Sequence, residues 1–101
     1  IIGSIWSLDP FSVNLLDNNG ERDLKVVIEF EVADPSIIQE LDQVKPRVRD
    51  GILELLSSKT LADLADATGK QRLREEIILR ANNSISRGRI SKVYFTEFVI
   101  Q

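Results

Sequence analysis

The apolar positions of this chain switch from a strand-like to a helical period and back again. Phe11, Val13 and Leu15 alternate with Ser12 and Asn14, which predicts a short half-buried strand. The polar run Asp17-Asn18-Asn19-Gly20-Glu21-Arg22-Asp23 follows, and its Asn-Gly step tolerates the positive φ of a tight turn. Leu24, Val26, Ile28, Phe30 and Val32 then alternate with Lys25, Val27, Glu29 and Glu31. This is the clearest strand in the chain, with one face in the core and the other mostly in water. The two strands are expected to pair as an antiparallel hairpin.

Beyond Val32 the period lengthens. Asp34-Pro35 predicts a helix start, with Asp34 as cap and Pro35 at the first helical position. Ile37, Ile38, Leu41 and Val44 carry helical spacing as far as Pro46. A second helix is expected there, with Val48, Ile52, Leu55 and Leu56 on its apolar face and Arg47, Arg49, Asp50 and Glu54 largely elsewhere. Gly51 weakens that helix by ~1 kcal/mol relative to alanine. Thr60-Leu61-Ala62-Asp63 reads as the capped start of a short helix, and Thr68-Gly69-Lys70-Gln71 as the capping box of a long one. The long helix carries Leu73, Ile77, Ala81 and Ile85, with Arg72, Glu76 and Arg80 one turn apart and spaced for ion pairs. Gly88 is expected to end it.

Ile90 to Ile100 closes the chain as a strand. Val93, Phe95 and Val99 fall on one face and Tyr94, Phe98 and Ile100 on the other. Both faces are apolar, so the strand is expected to be covered on both sides or central in its sheet. The order strand, strand, helices, strand gives an α+β two-layer domain, with a small mostly antiparallel sheet packed by helices.

Composition narrows the chemistry more than the fold. A chain of 101 residues, 43% apolar and 29% charged, is one ordinary globular domain. A net charge of −3 lacks the clustered basic face of a nucleic-acid partner, so none is expected. Histidine and cysteine are both absent. That removes ordinary zinc, haem and thiolate chemistry and the Ser-His-Asp and Cys-His nucleophile systems. No metal or cofactor is expected. Ile1-Ile2-Gly3-Ser4-Ile5 starts without methionine, so any targeting or membrane segment is expected upstream. With Trp6 and Leu8, residues 1–8 form an apolar segment outside the main pattern. It is expected to pack on the domain or to be the juxtamembrane stub of an anchor, with the domain proper at 9–101. No apolar run in the chain approaches the ~18 residues of a spanning helix.

The remaining candidate motifs weaken on inspection. A phosphate loop needs glycine five residues before the Gly69-Lys70 step and Ser or Thr after it, where Leu64 and Gln71 stand. A calcium loop centred on Gly20 would place Leu15 and Val26 at its first and last ligand positions. Ser57-Ser58-Lys59 has the residue types of a Ser-Lys nucleophile pair, but Lys59 falls where a helix ends and its charge is expected to be solvated there. Glu97, in an otherwise apolar strand, is expected at a strand-end or edge position, or in a pair with an arginine such as Arg89, or else as a buried polar anchor at an interface.

Taken in order, Phe11-Ser12-Val13-Asn14-Leu15, Leu24-Lys25-Val26, Pro46-Arg47-Val48-Arg49-Asp50, Ile52 to Thr60, Gly69 to Ile77 and Val93 to Gln101 resemble successive blocks of the flagellar basal-body FliL family. The resemblance covers roughly residues 8–101, and the specificity lies in the order and spacing of the blocks. It implies a non-enzymatic protein with a stomatin/prohibitin (SPFH)-like fold. It implies a single-pass bacterial inner-membrane protein at the flagellar basal body, with this domain in the periplasm and the transmembrane helix absent from this stretch. The implied partners are further copies, in a ring around the ion-driven stator, and the periplasmic region of the stator B subunit. There the domain would favour the active, unplugged stator and support torque, swimming or swarming. The alternative of another class is a stomatin-like membrane scaffold not tied to motility. For self-association, the exposed strand face Lys25, Val27 and Glu29 is expected to meet a neighbour's helix face at Arg47, Asp50 and Glu54, opposite charges setting the register.

Overall fold

The longest alternation in the chain becomes the middle of the sheet. In the computed structural model, which describes residues 3–101 with the backbone alone at Asn18, β3 (Asp23–Val32) has neighbours on both edges. On one edge lie β1 (Ser4–Ser7) and β2 (Phe11–Asn14), and on the other β4 (Ile90–Ile100), all antiparallel to β3. The expected hairpin is β2 with β3, in a register from Phe11↔Val26 to Asn14↔Asp23. β1 takes the other half of the same edge, from Ser4↔Val32 to Ser7↔Glu29.

β1 and β2 are therefore one edge strand broken at Leu8-Asp9-Pro10, which stands opposite only Val27 and Ile28. The extra residue bulges, and a proline without an N–H is tolerated there. Trp6 and Leu8 are buried in the core, so from Ser4 to Leu8 the N-terminal segment packs on the domain. Of the expected stub, Ile1 and Ile2 lie outside the described residues. Sequence periodicity missed β1 because it is short and its apolar residues run without a clean alternation.

β4 corrects an expectation. Among the described residues it pairs with β3 alone and is an edge strand with one covered face. Register shifts at Val27/Ile28 and Glu31/Val32 leave Thr96 and Ser91 as extra residues on β4. Each extra residue resets the alternation. Ile90, Val93, Phe95, Phe98 and Ile100 thus all stand opposite the core residues Val32, Phe30, Ile28, Val26 and Leu24. What reads as two apolar faces is one face with bulges.

Four helices cover that face: α1 (Ile37–Gln43), α2 (Lys45–Ser57), α3 (Leu61–Leu64) and α4 (Ala67–Asn82). Ile37, Leu41, Ile52, Leu56, Leu73 and Ile77 meet the sheet essentially without exposure. Full burial of each such side chain contributes roughly 1.5–3 kcal/mol. No helix among the described residues is long and apolar enough to cross a membrane.

The helix starts differ in detail from the sequence reading. Ser36, not Asp34, is the N-cap of α1, and Asp34 Oδ1 accepts from the Ser36 N–H (2.9 Å) in the turn before it. α2 begins one residue before Pro46, which sits in the first turn where its missing N–H has no partner to lose. The Thr60–Asp63 capping box of α3 forms as expected. α4 starts earlier than expected, capped by Asp66, whose Oδ1 accepts from Gly69 N (2.7 Å). Thr68 lies inside its first turn, and Gly69 is required because a Cβ there would overlap the Asp63 carbonyl oxygen. α4 ends at Asn82; Ile85 packs on the core from the loop beyond, which contains Gly88.

Candidate interaction surface

The sheet face away from the helices is open. β3 presents Lys25, Val27, Glu29 and Glu31 there, beside Lys92, Tyr94, Glu97 and Val99 of β4 and Ile5 and Ser7 of β1. Ile5 (51%), Val99 (41%) and Tyr94 (39%) are well exposed for apolar or aromatic groups. Polar pairs run between them. Ser7 Oγ donates to Glu29, Tyr94 OH donates to Glu31 Oε1 (2.6 Å), and Lys25 Nζ lies 3.7 Å from Glu97 Oε1. The Tyr94 hydroxyl holds the Glu31 carboxyl below its ordinary value, and the same bond pushes the Tyr94 phenol up. Exposed pairs of this kind contribute ~0–1 kcal/mol each, so their main effect is to fix side-chain directions on the open face.

Glu97 accordingly takes the edge-strand position; its partner is Lys25 rather than Arg89, and it is not a buried anchor. Arg47, Asp50 and Glu54 are exposed on α2, in the helical layer. Glu54 Oε1 accepts from Arg80 Nη1 (3.2 Å), whereas Arg47 and Asp50 make no side-chain hydrogen bond or ion pair among the described residues. The six residues singled out by sequence therefore form two patches on opposite layers of one domain, never one site within a chain.

The Ser-Lys candidate resolves into structure. Ser58 Oγ donates to the Leu55 carbonyl (2.6 Å) at the end of α2. Lys59 is not solvated as expected: its side chain is 15% exposed, with Nζ at 2.9 and 3.1 Å from the two Glu76 oxygens. The Ser58 hydroxyl and the Lys59 amine are each engaged elsewhere, and Ser57 is exposed at the last position of α2. This also displaces the ion pairs expected along α4, since Glu76 turns to Lys59, just beyond the end of α2, and Arg80 to Glu54 on α2. Partial burial strengthens the Lys59–Glu76 pair over an exposed i,i+4 pair, whereas Arg80 and Glu54 stay exposed.

Sequence reasoning also missed a set of cations that clamp both sheet edges. Lys45 and Arg49 of α2 lie over the rings of Trp6 (5.5 Å) and Phe11 (4.1 Å). Lys70 and Arg74 of α4 lie over Phe98 (5.3 Å) and Phe95 (4.7 Å). Each pair is spaced one turn apart, a signal present in the sequence, but the aromatic partners come from distant strands.

The family profile described as "Flagellar basal body-associated protein FliL" matches residues 5–101. The chain is 40% identical over 101 residues to "Flagellar protein FliL" of Aquifex aeolicus (strain VF5), covering 99% of this chain and 63% of that protein. It is 24% identical over 101 residues to the protein of the same name in Bacillus subtilis (strain 168), with 100% and 70% covered. The Escherichia coli (strain K12) protein of that name is 30% identical over 100 residues, with 95% and 64% covered. The chain thus spans somewhat less than two thirds of the Aquifex and Escherichia relatives, at 63% and 64% of their lengths.

Proposed function

The chain belongs to the family of flagellar basal body-associated FliL proteins, and from that premise we propose that it is a non-enzymatic accessory domain of the flagellar motor. In this reading the domain stands in the periplasm beyond a membrane-spanning helix supplied by the rest of the protein. Copies assemble into a ring around the stator, touch the periplasmic part of the stator B subunit and favour its active state. The SPFH-like reading of the fold belongs to the same proposal. It is supported by an α+β domain whose small antiparallel sheet is covered on one face only.

One observation carries the assembly: the two charged patches lie on opposite layers. Lys25, Val27 and Glu29 are on the open sheet face, and Arg47, Asp50 and Glu54 are on α2. Contact between unlike patches is head-to-tail, and such contacts close into rings when the rotation per subunit allows. Arg47 and Asp50, without side-chain partners among the described residues, are the groups offered to a neighbour's Glu29 and Lys25. The charges set register and orientation, while Val27 provides apolar contact between them. Arg47→Glu is expected to lower the mass of the assembled full-length protein at a given concentration and to reduce swimming. Unchanged assembly and swimming in that variant would remove this surface.

A further inference from the structure

The outer edge of β4 carries open backbone groups beside a groove, and the register identifies them. Asp23 and Gln101 exchange both backbone hydrogen bonds (3.2 and 2.9 Å), so odd residues of β3 face β4. Even residues face the other edge, as the bond from Leu8 N to the Ile28 carbonyl confirms. Along β4, Glu97 and Val99, then Tyr94 and Lys92 beyond the Thr96 bulge, point their N–H and C=O at β3. Val93 and Phe95 therefore point theirs outward. At Ile90 the outward groups are already taken: the Asn82 amide accepts from Ile90 N (2.9 Å) and donates to Ile90 O (3.5 Å), as a neighbouring strand would. Val93 and Phe95 have no such partner among the described residues.

The groove lies alongside these groups. Gln71, Arg74 and Ile78 of α4 form one wall and Ser91 to Tyr94 of β4 the other. Arg74 stacks on Phe95 and bonds Gln71 (3.3 Å), and Lys70 stacks on Phe98. Neither forms an ion pair with a carboxylate among the described residues. A strand edge flanked by a helix is a setting in which an extended peptide adds as a further strand, with backbone bonds giving affinity and alternate side chains giving specificity.

We propose that the Val93–Phe95 edge and the α4 flank form a strand-addition site for an extended acidic segment of a partner protein. The segment's backbone pairs with Val93 and Phe95. Side chains on its helix-facing side place a carboxylate at Arg74, within reach of Lys70, and an apolar group against Ile78. A second copy of this chain is a poor occupant. β4 against β4 would bring two sets of Lys70, Arg74 and Lys92 together, and the β1–β2 edge is broken by its bulge and flanked by Lys45 and Arg49. The site lies apart from the Lys25–Glu29 and Arg47–Glu54 patches, so it stands or falls independently of the assembly proposed above.

The test uses a capped nine-residue peptide with Glu and Val taking turns at its odd positions and Thr at every even one, so that one strand face carries both, its counterpart with Lys in place of Glu, and the Glu/Val peptide N-methylated at alternate positions. All are titrated to about 2 mM, near the weak limit of a single short strand, into the ¹⁵N-labelled chain. Binding of the acidic peptide is expected to shift the Val93 and Phe95 amides and slow their exchange. Arg74→Glu, with the rest of the spectrum unchanged, is expected to weaken it about tenfold, the effect of one lost charge-assisted contact. The basic and N-methylated peptides are expected to leave both amides unmoved. No binding of the acidic peptide, shifts centred elsewhere, or equal binding of the basic or N-methylated peptide would overturn the proposal.

Discussion

Arg49 is predicted to be the side chain that holds the broken edge of the sheet together. Its Nη1 donates to the Asp9 carbonyl and its Nη2 to the Pro10 carbonyl, each at 2.8 Å, and its guanidinium lies 4.1 Å from the Phe11 ring centroid. The bulge at Leu8-Asp9-Pro10 leaves these carbonyls without a strand partner, and one planar fork serves both. Hydrogen bonds to a charged donor contribute about 1.5–3 kcal/mol when sheltered, but these are exposed and water replaces them in part. Taking roughly 0.5–1 kcal/mol for each bond and about 0.5 for the cation–π contact, Arg49→Ala should destabilise by about 2 kcal/mol. Arg49→Lys keeps the charge but not the fork and should lose about half of that. Trp6, the single tryptophan, is buried on β1 and stacked 5.8 Å from Phe30, so its fluorescence reports unfolding next to the break. With a urea m-value of ~1–1.5 kcal/mol/M, the alanine midpoint should fall by about 1.5 M and the lysine midpoint by about half as much. An alanine variant within about 0.3 kcal/mol of the parent, or a lysine variant equal to it, would refute this role.

Two further perturbations follow from the same geometry. Glu76→Ala leaves Lys59, with its 15% exposed side chain, unpaired and should destabilise by about 1–3 kcal/mol. Lys59→Met with Glu76→Leu should recover most of that loss in denaturant unfolding; no recovery would mean that the residues act through something other than their pairing. Glu40 and Asp34 each have a carboxyl held below its ordinary value, Glu40 by the Ser86 hydroxyl and N–H and Asp34 by the Ser36 N–H. Because the folded values are the lower ones, this stabilisation is complete above the ordinary values of 4.5 and 3.8 and is lost as pH falls through the depressed ones. The urea midpoint should therefore drop below about pH 4.5, and less steeply in Glu40→Gln; a parent curve that stays flat to about pH 2.5 would contradict it.

The sequence reading succeeds where one period governs an element. β3 and the apolar faces of α2 and α4 are legible because every second or every third-to-fourth residue is buried without interruption. It fails where an inserted residue resets the period. Thr96 and Ser91 turn the apparently two-faced Ile90–Ile100 into a one-faced edge strand, and Leu8-Asp9-Pro10 hides β1 from β2. Nothing local in the chain marks these bulges, since each is defined by which residue stands opposite. The charged pairs fail for a related reason. Arg72, Glu76 and Arg80 have ideal i,i+4 spacing, yet Glu76 and Arg80 turn to Lys59 and Glu54 once α2 lies alongside. The patches Lys25-Val27-Glu29 and Arg47-Asp50-Glu54 were readable as exposed faces; that they lie on opposite layers required the packing.

Head-to-tail assembly is the claim on which the proposed function turns, and cysteine cross-linking tests it most directly. The chain contains no cysteine, so introduced thiols have no native competitor within it. In cells producing the full-length protein, Val27→Cys and Asp50→Cys placed together in one chain should give a ladder of cross-linked oligomers on oxidation. Each substitution alone should give no product, and co-expressed single variants should stop at dimers. Dimers formed by either single variant with itself, or no ladder from the double variant, would contradict assembly through these two faces.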